Sequence, residues 1–304
     1  MRGAESASCA IRQSDQPAQP TMDPAVIQYL YLGRVAYDES LRLQAEVAAL
    51  RLAGRVDNVL LLLEHPPVLT LGRNANRSNV LASDEILARR GVTLHEINRG
   101  GDVTYHGPGQ LIGYPIFDLR SLQNDRGGRL GPVDFVRRME EALIRLCCVY
   151  GVHAGRIAGL TGVWCPGAGL DGSGTMDSRK IGAIGIHVSR GITSHGFAFN
   201  VTTDLRDFQL INPCGITDRP VTSLEREVET SLQLPDLETI AHQASRQFGL
   251  VFEQRVLAVE SLETLRTFAT EGAAVSLPQP EDTPLKPPAE VERLHGTPPR
   301  PVSA

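Results

Sequence analysis

Residues 179–186 of this chain read RKIGAIGI, and the predicted fold depends on the segment that they begin. Glycine and β-branched residues dominate this run, and the run FAFNV at 197–201 is similarly apolar. Apolar runs of this length, bounded by turn-forming residues, are typical of strands. We therefore predict a β-hairpin with strands at 182–188 and 197–201 and a turn at 190–194.

Two reactive side chains flank this predicted hairpin. Lys180 precedes its first strand, and Cys214 follows its second strand within the turn-forming run NPCG at 212–215. Because a hairpin brings its two ends together, these residues can be neighbours in space. A lysine ammonium beside a thiol lowers the pKa of the thiol and raises the fraction of reactive thiolate. Covalent acyl transfer requires such an arrangement.

Both residues also have a plainer interpretation. A lysine is usually a solvated surface residue, and Cys214 can be a chance cysteine in a turn. Pro213 fixes the backbone before Cys214, and Gly215 permits a close approach by a substrate, which favours function. Of the other cysteines, Cys9 lies in the predicted leader and Cys165 is interpreted as structural. Cys147 and Cys148 lie inside a predicted helix, so at least one of them belongs to the core.

Composition excludes several classes of protein. The formal net charge of −5 argues against generic nucleic-acid binding. The longest aliphatic run, residues 59–63, is far too short to span a bilayer, and the first residues do not resemble a secretory signal. Five cysteines without regular spacing favour a reduced cytosolic protein over a disulfide scaffold.

The chain divides into three parts by composition. Residues 1–24 are polar and proline-containing and are predicted to be a flexible leader, and residues 272–304 are predicted to be a proline-rich disordered tail. Residues 25–271 mix strand and helix patterns without a strict βαβ rhythm. They predict an α/β (α+β) single domain with a mixed sheet.

Local patterns place the elements of this domain. Strands are predicted at 26–35, 58–63, 92–97, 111–119 and 251–256, and a further strand is predicted to end at 163–164. The strand at 58–63 is expected to resume at 68–71 after two prolines. Helices are predicted at 37–53, after an N-cap at Ser83, from Pro132 as first helical residue, at 236–248 and near Ser261. Residues 222–225 fit a capping box.

Residues 99–110 read RGGDVTYHGPGQ and form a second candidate site. Glycines let main-chain N–H groups approach a ligand, and Arg99 can bind a phosphate or a carboxylate. The same glycines also suit an ordinary turn. The run lacks the Gly-Lys-Ser/Thr of a Walker A loop, and no helix signal follows it as in a dinucleotide fingerprint.

The histidines do not have the spacing of a metal site. Neither His65, His106, His187 nor His195 falls in an HExxH pattern, so no metal is predicted. A cysteine protease with His106 or His195 as its base remains an alternative, although no protease signature surrounds Cys214.

Six segments together resemble one family. They cover residues 64–73, 99–110, 114–116, 180–185, 195–200 and 212–215. In their order and spacing they resemble the octanoyl-ACP:protein octanoyltransferases, also called lipoyl (octanoyl) transferases, over about residues 26–256. The leader, the tail and the loop at 166–178 are longer than the family core needs.

The resemblance implies a fold and a set of site residues. The fold is that of the catalytic domains of lipoate and biotin protein ligases. The resemblance implies that Cys214 carries the acyl thioester and that Lys180 lowers the pKa of its thiol. It further implies a substrate site formed by Arg99, Gly100, Gly101, Asp102, Val103, Thr104, Tyr105, His106, Ala183, Ile184, Gly185, Gly196, Phe197 and Ala198.

The resemblance also implies a reaction. An octanoyl group moves from the phosphopantetheine thioester of acyl carrier protein to a lysine of a lipoyl domain, as found in 2-oxoacid dehydrogenase E2 subunits and in glycine cleavage H protein. The donor is already activated, so no ATP, metal or other cofactor is required. The expected location is the cytoplasm, with no nucleic-acid or membrane partner.

Two further expectations concern the walls of the site. An apolar slot for the acyl chain is expected from Ile184, Ile186, Phe197 and Phe199. A basic surface that receives the acidic carrier protein is expected from Arg73, Arg77, Arg99 and Arg179. Two other functions remain open, namely an ATP-dependent lipoate or biotin protein ligase and a catalytically inert module that binds the carrier protein.

Overall fold

The structure is a computed structural model that describes residues 25–167, 178–212 and 219–267. The strands in this part of the chain are β1 (Val26–Arg34), β2 (Asn58–Glu64), β3 (Val68–Leu71), β4 (Thr93–Glu96), β5 (Val103–His106), β6 (Gln110–Ile116), β7 (Gly155–Ile157), β8 (Leu160–Cys165), β9 (Arg179–Ser189), β10 (Ile192–Asn200) and β11 (Arg255–Ala258). The helices are α1 (Tyr37–Leu52), α2 (Asp84–Arg89), α3 (Pro132–Val149), α4 (Leu224–Glu227), α5 (Leu237–Phe252) and α6 (Leu262–Thr267).

The predicted leader at 1–24, the predicted tail at 272–304 and Cys214 all lie outside the described residues, as does most of the 166–178 loop. None of the described helices combines the length and apolar character that a membrane crossing requires.

A mixed sheet forms the centre of the domain. Its strand order is β11-β1-β2-β6-β10-β9-β8-β7, in which β1 runs parallel to both β2 and β11 and the other pairs are antiparallel. This confirms the predicted fold class of an α/β domain with a mixed sheet.

Both faces of this sheet are covered, which explains the continuous apolar run in β2. Leu60 and Leu62 contribute to a core with α3 and α5, whereas Leu61 and Leu63 contribute to a separate core with α1. Successive side chains of a strand point to opposite faces, so a strand buried on both sides needs no polar alternation.

The β9–β10 hairpin confirms the predicted strands and corrects the predicted turn. Its loop consists of Arg190 and Gly191 alone, both with positive φ, of 50° and 85°. Two positive φ values are the signature of the tight type I′ turn, whose twist matches that of the flanking strands. Ile192, Thr193 and Ser194 therefore belong to β10 and not to the turn.

A second sheet was not predicted. It has the order β4-β3-β5 and packs its own apolar cluster, which includes Leu69, Val103 and Phe208. Two predictions fail here. Residues 68–71 do not resume β2 but enter this other sheet, and the glycine-rich run at 99–110 contains strand β5.

Two local predictions near the C-terminal end of the domain are also wrong. The capping box at 222–225 does not form, because Ser223 is the N-cap residue of α4 and Thr222 Oγ1 donates instead to Glu227 Oε1 at 2.6 Å. Helix α5 begins as predicted after Asp236 but continues to Phe252, so the strand that was expected from 251 starts only at Arg255.

Candidate active site

A cavity of about 890 Å³ opens beside the middle of the β9–β10 hairpin. The hairpin lies on one side, the segment that leads into β5 on another, and the start of α3 with the β7–β8 turn on a third. The lining residues are Tyr37, Asn74, Arg99, Gly100, Gly101, Asp102, Thr104, His106, Tyr114, Pro132, Val133, Val136, Arg137, Gly159, Leu160, Thr161, Lys180, Ala183, Ile184, Gly185, Ile186, His195, Gly196, Phe197 and Ala198.

The structure therefore brings together most of the residues that the resemblance implied. Lys180 and all the implied substrate-site residues except Val103 and Tyr105 line this one cavity. Those two side chains contribute to the apolar cluster of the smaller sheet instead. The reason is the alternation of β5, which directs Thr104 and His106 toward the cavity and the other two residues away from it.

The glycine-rich segment touches β9 directly through its backbone. The Gly100 N–H donates to the Ile186 carbonyl at 3.0 Å. A Cβ atom on Gly185 would lie 2.7 Å from the Gly100 carbonyl oxygen, so this close approach depends on the missing side chain.

Arg99 is buried and holds the cavity wall together. Its guanidinium donates to the Thr70 hydroxyl, to the Thr70 carbonyl at 2.7 Å and to the Gly100 carbonyl at 3.0 Å. These contacts tie the segment between β4 and β5 to the smaller sheet.

Asp102 connects the cavity wall, through Asn79, to Asn212. Its carboxylate accepts hydrogen bonds from the Asn76 N–H at 3.0 Å and from the Asn79 side chain. The Asn79 carbonyl in turn accepts the Asn212 N–H at 2.7 Å. Asn212 is the last described residue before Cys214 in the chain, so these bonds link Asp102 to the described residue that precedes the segment 213–218.

Two histidines of the cavity are buried and hard to protonate. Burial lowers the pKa of His106 to about 3, and burial together with the nearby Arg99 charge lowers the pKa of His195 to about 3. His106 Nδ1 lies 2.8 Å from Gln110 Oε1. Imidazoles with such a low pKa are weak bases, which counts against the cysteine protease alternative.

Lys180 stands at the edge of the cavity with its ammonium over an indole ring. Its Nζ lies 4.6 Å from the centroid of the Trp164 ring, a cation–π contact. Within the described ranges no carboxylate lies at ion-pair distance from Lys180 Nζ. The neighbouring Arg179, in contrast, binds both carboxylate oxygens of Glu227 at 2.7 and 2.8 Å.

The chain that returns from the Cys214 segment runs directly alongside Lys180. The Lys180 N–H donates to the Pro220 carbonyl, and the Thr222 N–H donates to the Lys180 carbonyl, both at 2.9 Å. Cys214 itself lies outside the described residues, so its contact with Lys180 stays a prediction.

The described cysteines are poor candidates for the nucleophile. Burial raises the pKa of the Cys165 thiol to about 12 and that of Cys147 well above its usual value. Cys148 is exposed on α3 and does not line the cavity described above. These positions agree with the core and structural roles predicted for Cys147 and Cys165.

Sequence reasoning missed one wall of the cavity. The first two turns of α3, with Val133 and Arg137, face residues 159–161 at the start of β8 across it. The buried carboxylate of Glu140 joins these two parts, because it accepts the Gly162 N–H at 3.0 Å and a bond from Arg137 at 2.7 Å. The sequence signal for this wall was an acidic residue, Glu140, within the apolar stripe of α3.

The predicted acyl slot and the predicted basic surface hold only in part. Ile184, Ile186 and Phe197 line the cavity, but Phe199 is fully buried in the main core. Of the four arginines, Arg77 pairs with Asp84, and Arg99 and Arg179 make the contacts described above. Three of the four arginines of the expected basic surface therefore make contacts within the domain.

Comparison with known proteins first defines the class. Residues 36–248 match the family model described as the lipoyl protein ligase A/B catalytic domain. A bi-partite lipoate protein ligase from Thermoplasma acidophilum, studied with its E2 lipoyl domain, has the same fold, with a TM-score of 0.57 and 16% identity over 86% of this chain and 100% of that chain.

Two bacterial relatives then define the family. The octanoyltransferase of Acidobacterium capsulatum is 61% identical over 238 residues, which covers 78% of this chain and 94% of the relative. The octanoyltransferase of Koribacter versatilis is 49% identical over 270 residues, which covers 89% of this chain and 97% of the relative. The chain therefore belongs to the octanoyltransferases, acyltransferases of lipoate biosynthesis, as its motifs predicted.

Proposed function

We propose that this chain transfers an octanoyl group from octanoyl-acyl carrier protein to a lysine of a lipoyl domain through a thioester on Cys214. The observation that carries the proposal is the placement of Lys180. It lines the cavity without a carboxylate partner in the described ranges, and the chain flanking the Cys214 segment is hydrogen-bonded to it.

In the first step the Cys214 thiolate attacks the thioester carbonyl of the donor. A tetrahedral intermediate forms, the bond to the pantetheine sulfur breaks, and the carrier is released as a thiol after it accepts a proton. In this proposal the ammonium of Lys180 stabilises the attacking thiolate and supplies that proton.

In the second step the amine of the target lysine attacks the Cys214 thioester. The amide bond forms, the bond to Cys214 Sγ breaks, and the proton lost by the amine passes to the base at Lys180. The developing oxyanion in both steps requires main-chain N–H donors, for which we propose the glycine-rich turns or the backbone beside Cys214. Both steps use one site, so the kinetics should be ping-pong.

The rest of the cavity offers apolar surface for an acyl chain beside polar groups. Ile184, Ile186 and Phe197 supply the apolar surface, while His106 and His195, whose pKa is lowered to about 3, stay uncharged at neutral pH. We propose that the implied residues between Arg99 and His106, and those of the hairpin, position the acyl thioester. Val103 and Tyr105 would contribute only through their packing in the apolar cluster of the smaller sheet.

We propose as acceptors the lipoyl domains of 2-oxoacid dehydrogenase E2 subunits and of glycine cleavage H protein. The fold neighbour studied with its E2 lipoyl domain is consistent with such an acceptor. A cytoplasmic location belongs to the same proposal, and the free thiols of Cys147, Cys148 and Cys165 are consistent with a reducing compartment.

A direct test separates this proposal from an ATP-dependent ligase. Wild-type protein is mixed with octanoyl-acyl carrier protein and a lipoyl domain without ATP, and the mass of the lipoyl domain is measured. The proposal expects gain of one octanoyl group, and loss of this transfer in Cys214→Ala. Transfer that requires ATP and releases pyrophosphate would favour the ligase, and equal rates in wild type and Cys214→Ala would refute the thioester.

A further inference from the structure

Trp164 is the only tryptophan of the chain, and its ring lies directly beside the side chain of Lys180. It is buried near the end of β8, where it pairs with Lys180 of the antiparallel strand β9. Directly opposite residues of such a pair place their side chains on the same face of the sheet. The Lys180 Nζ therefore lies over the indole ring, 4.6 Å from its centroid.

Gly162 leaves room on β8 for the lysine side chain to reach this ring. A Cβ atom on Gly162 would lie 3.4 Å from Lys180 Cε. The side chain of Lys180 thus runs along β8, with Cε beside Gly162 and Nζ over the Trp164 ring.

The main chain of Lys180 is held by a separate set of contacts. Its N–H donates to the Pro220 carbonyl and its carbonyl accepts the Thr222 N–H, both at 2.9 Å. These bonds fix where the side chain starts, but a lysine stem is flexible. Among the described residues, the contact that fixes its ammonium end is the one with Trp164.

An indole ring holds an ammonium in a way that a carboxylate does not. The ring attracts the cation through its quadrupole and carries no net charge, so the ammonium keeps its full charge for another anion. A carboxylate partner would compete with the Cys214 thiolate for that charge. Lys180 has no such partner within the described ranges.

Packing alone does not explain a tryptophan at this position. The indole N–H of Trp164 is buried and has no acceptor among residues 25–167, 178–212 and 219–267. A buried indole N–H usually has a partner, and one that lacks it costs stability. A phenylalanine would fill apolar space without this cost, whereas indole is the aromatic ring that attracts a cation most strongly. The residue type therefore favours a role toward Lys180.

The ring also contacts the chain that follows the Cys214 segment. The Arg219 Cζ lies 5.8 Å from its centroid, and Arg219 is the first described residue after 213–218. We propose that Trp164 is a positioning residue for acyl transfer, which holds the Lys180 ammonium beside the Cys214 thiolate without neutralising it. The inference rests on the proposed function, because it takes Lys180 to act on Cys214.

Single-turnover acylation of Cys214 by octanoyl-acyl carrier protein tests this role. In Trp164→Leu the ammonium loses its ring, and we expect the acylation rate constant at saturating donor to fall about 10- to 100-fold, as for a misplaced catalytic group. The donor concentration at half-maximal rate should stay at the wild-type value, because Trp164 does not line the cavity. Trp164→Phe should recover part of the loss, since a phenyl ring attracts a cation more weakly than indole does.

NMR of lysine side chains measures the contact itself, in the absence of substrate. The chain has two lysines, Lys180 and Lys286, so protein with isotope-labelled lysine gives two sets of side-chain signals. Protons over an aromatic face are shielded. The Lys180 Hε signal should therefore lie upfield of its position in urea-unfolded protein, and Trp164→Leu should remove this shift. Lys180→Arg identifies the signal by its loss.

Phe117→Leu is the matched control, since this buried ring packs in the main core and does not line the cavity. It should lower the melting temperature, as Trp164→Leu does, and leave the acylation rate constant of the folded protein unchanged. Where Trp164→Leu does not fold, Trp164→Phe and the wild-type NMR signal test the role.

Three results would overturn the positioning role while the proposed function stands. They are a wild-type acylation rate constant in Trp164→Leu or Trp164→Phe, an equal loss in Phe117→Leu, and a wild-type Lys180 signal without the upfield shift. Absence of an acyl adduct on Cys214 of the wild-type protein would instead overturn the proposed function, and the role of Trp164 with it.

Discussion

Substitution of Gly185 by alanine tests how closely the glycine-rich wall must lie on the hairpin. The added Cβ would lie 2.7 Å from the Gly100 carbonyl oxygen, a backbone atom that cannot rotate away. The wall must then move off β9, which weakens the Gly100 N–H bond to the Ile186 carbonyl. Overpacking of this kind lowers the free energy of unfolding by about 1–3 kcal/mol.

The effect should be visible in both stability and turnover. A loss of this size lowers the melting temperature by about 2–4 °C per kcal/mol in a domain of this length. Displacement of a substrate-positioning wall by an ångström reduces kcat/KM by up to about 100-fold. Both are measured by thermal unfolding and by octanoyl transfer to a lipoyl domain.

Gly155→Ala and Gly182→Ala are matched controls for the same chemical change. A Cβ on Gly155 would meet nothing within 4 Å, and one on Gly182 would make ordinary contacts at 3.4 Å or more. Gly155→Ala should gain about 0.4–1 kcal/mol because the unfolded chain loses freedom. If Gly185→Ala matches Gly155→Ala in melting temperature and in kcat/KM, the close-approach argument is wrong.

Three further predictions follow from other parts of the site. Glu140→Ala should lower the free energy of unfolding by about 2–4 kcal/mol in urea titrations, since it leaves the buried Gly162 N–H without an acceptor, whereas Glu140→Gln should lose less. Lys180→Ala should reduce the rate of Cys214 acylation by about 10²–10⁴-fold in single-turnover assays without changing the melting temperature, and Lys180→Arg should also be slow because a guanidinium does not release a proton. The free energy of unfolding should fall as the pH drops from about 6.5 toward 3, on the order of 1 kcal/mol per pH unit for each histidine, because His106 and His195 stay neutral when folded but bind protons when unfolded. A urea midpoint that does not change over this pH range would contradict their pKa values.

The sequence predicted the elements that are set by local pattern. The paired strands of the β9–β10 hairpin, the Pro132 start of α3 and the Ser83 N-cap of α2 each depend on a few adjacent residues, and the structure contains all three. Most of the residues that the family motifs single out line one cavity, although the motifs are far apart in the chain, and their role in binding substrate stays a prediction.

What the sequence did not predict depends on contacts between distant residues. Residues 68–71 carry the apolar pattern of any strand, and their place in the smaller sheet follows from pairing with β4 and β5. Thr222 satisfies a capping motif, but a carboxylate on Glu227 competes for its hydroxyl. The role of Arg99 depends on Thr70, which lies on strand β3 of the smaller sheet.

The sequence did not predict the wall built by Glu140, for the same reason. A single glutamate inside a helical stripe does not reveal that two arginines and the Gly162 N–H converge on it.

The central claim is that the octanoyl group rests on Cys214 between donor and acceptor. The most direct measurement is the intact mass of the protein after incubation with octanoyl-acyl carrier protein in the absence of a lipoyl domain, followed by peptide mapping. The account predicts one added octanoyl group on the peptide that contains Cys214, which hydroxylamine removes and which a lipoyl domain discharges onto its lysine. Acyl label on another cysteine, or normal octanoyl transfer by Cys214→Ala, would contradict it.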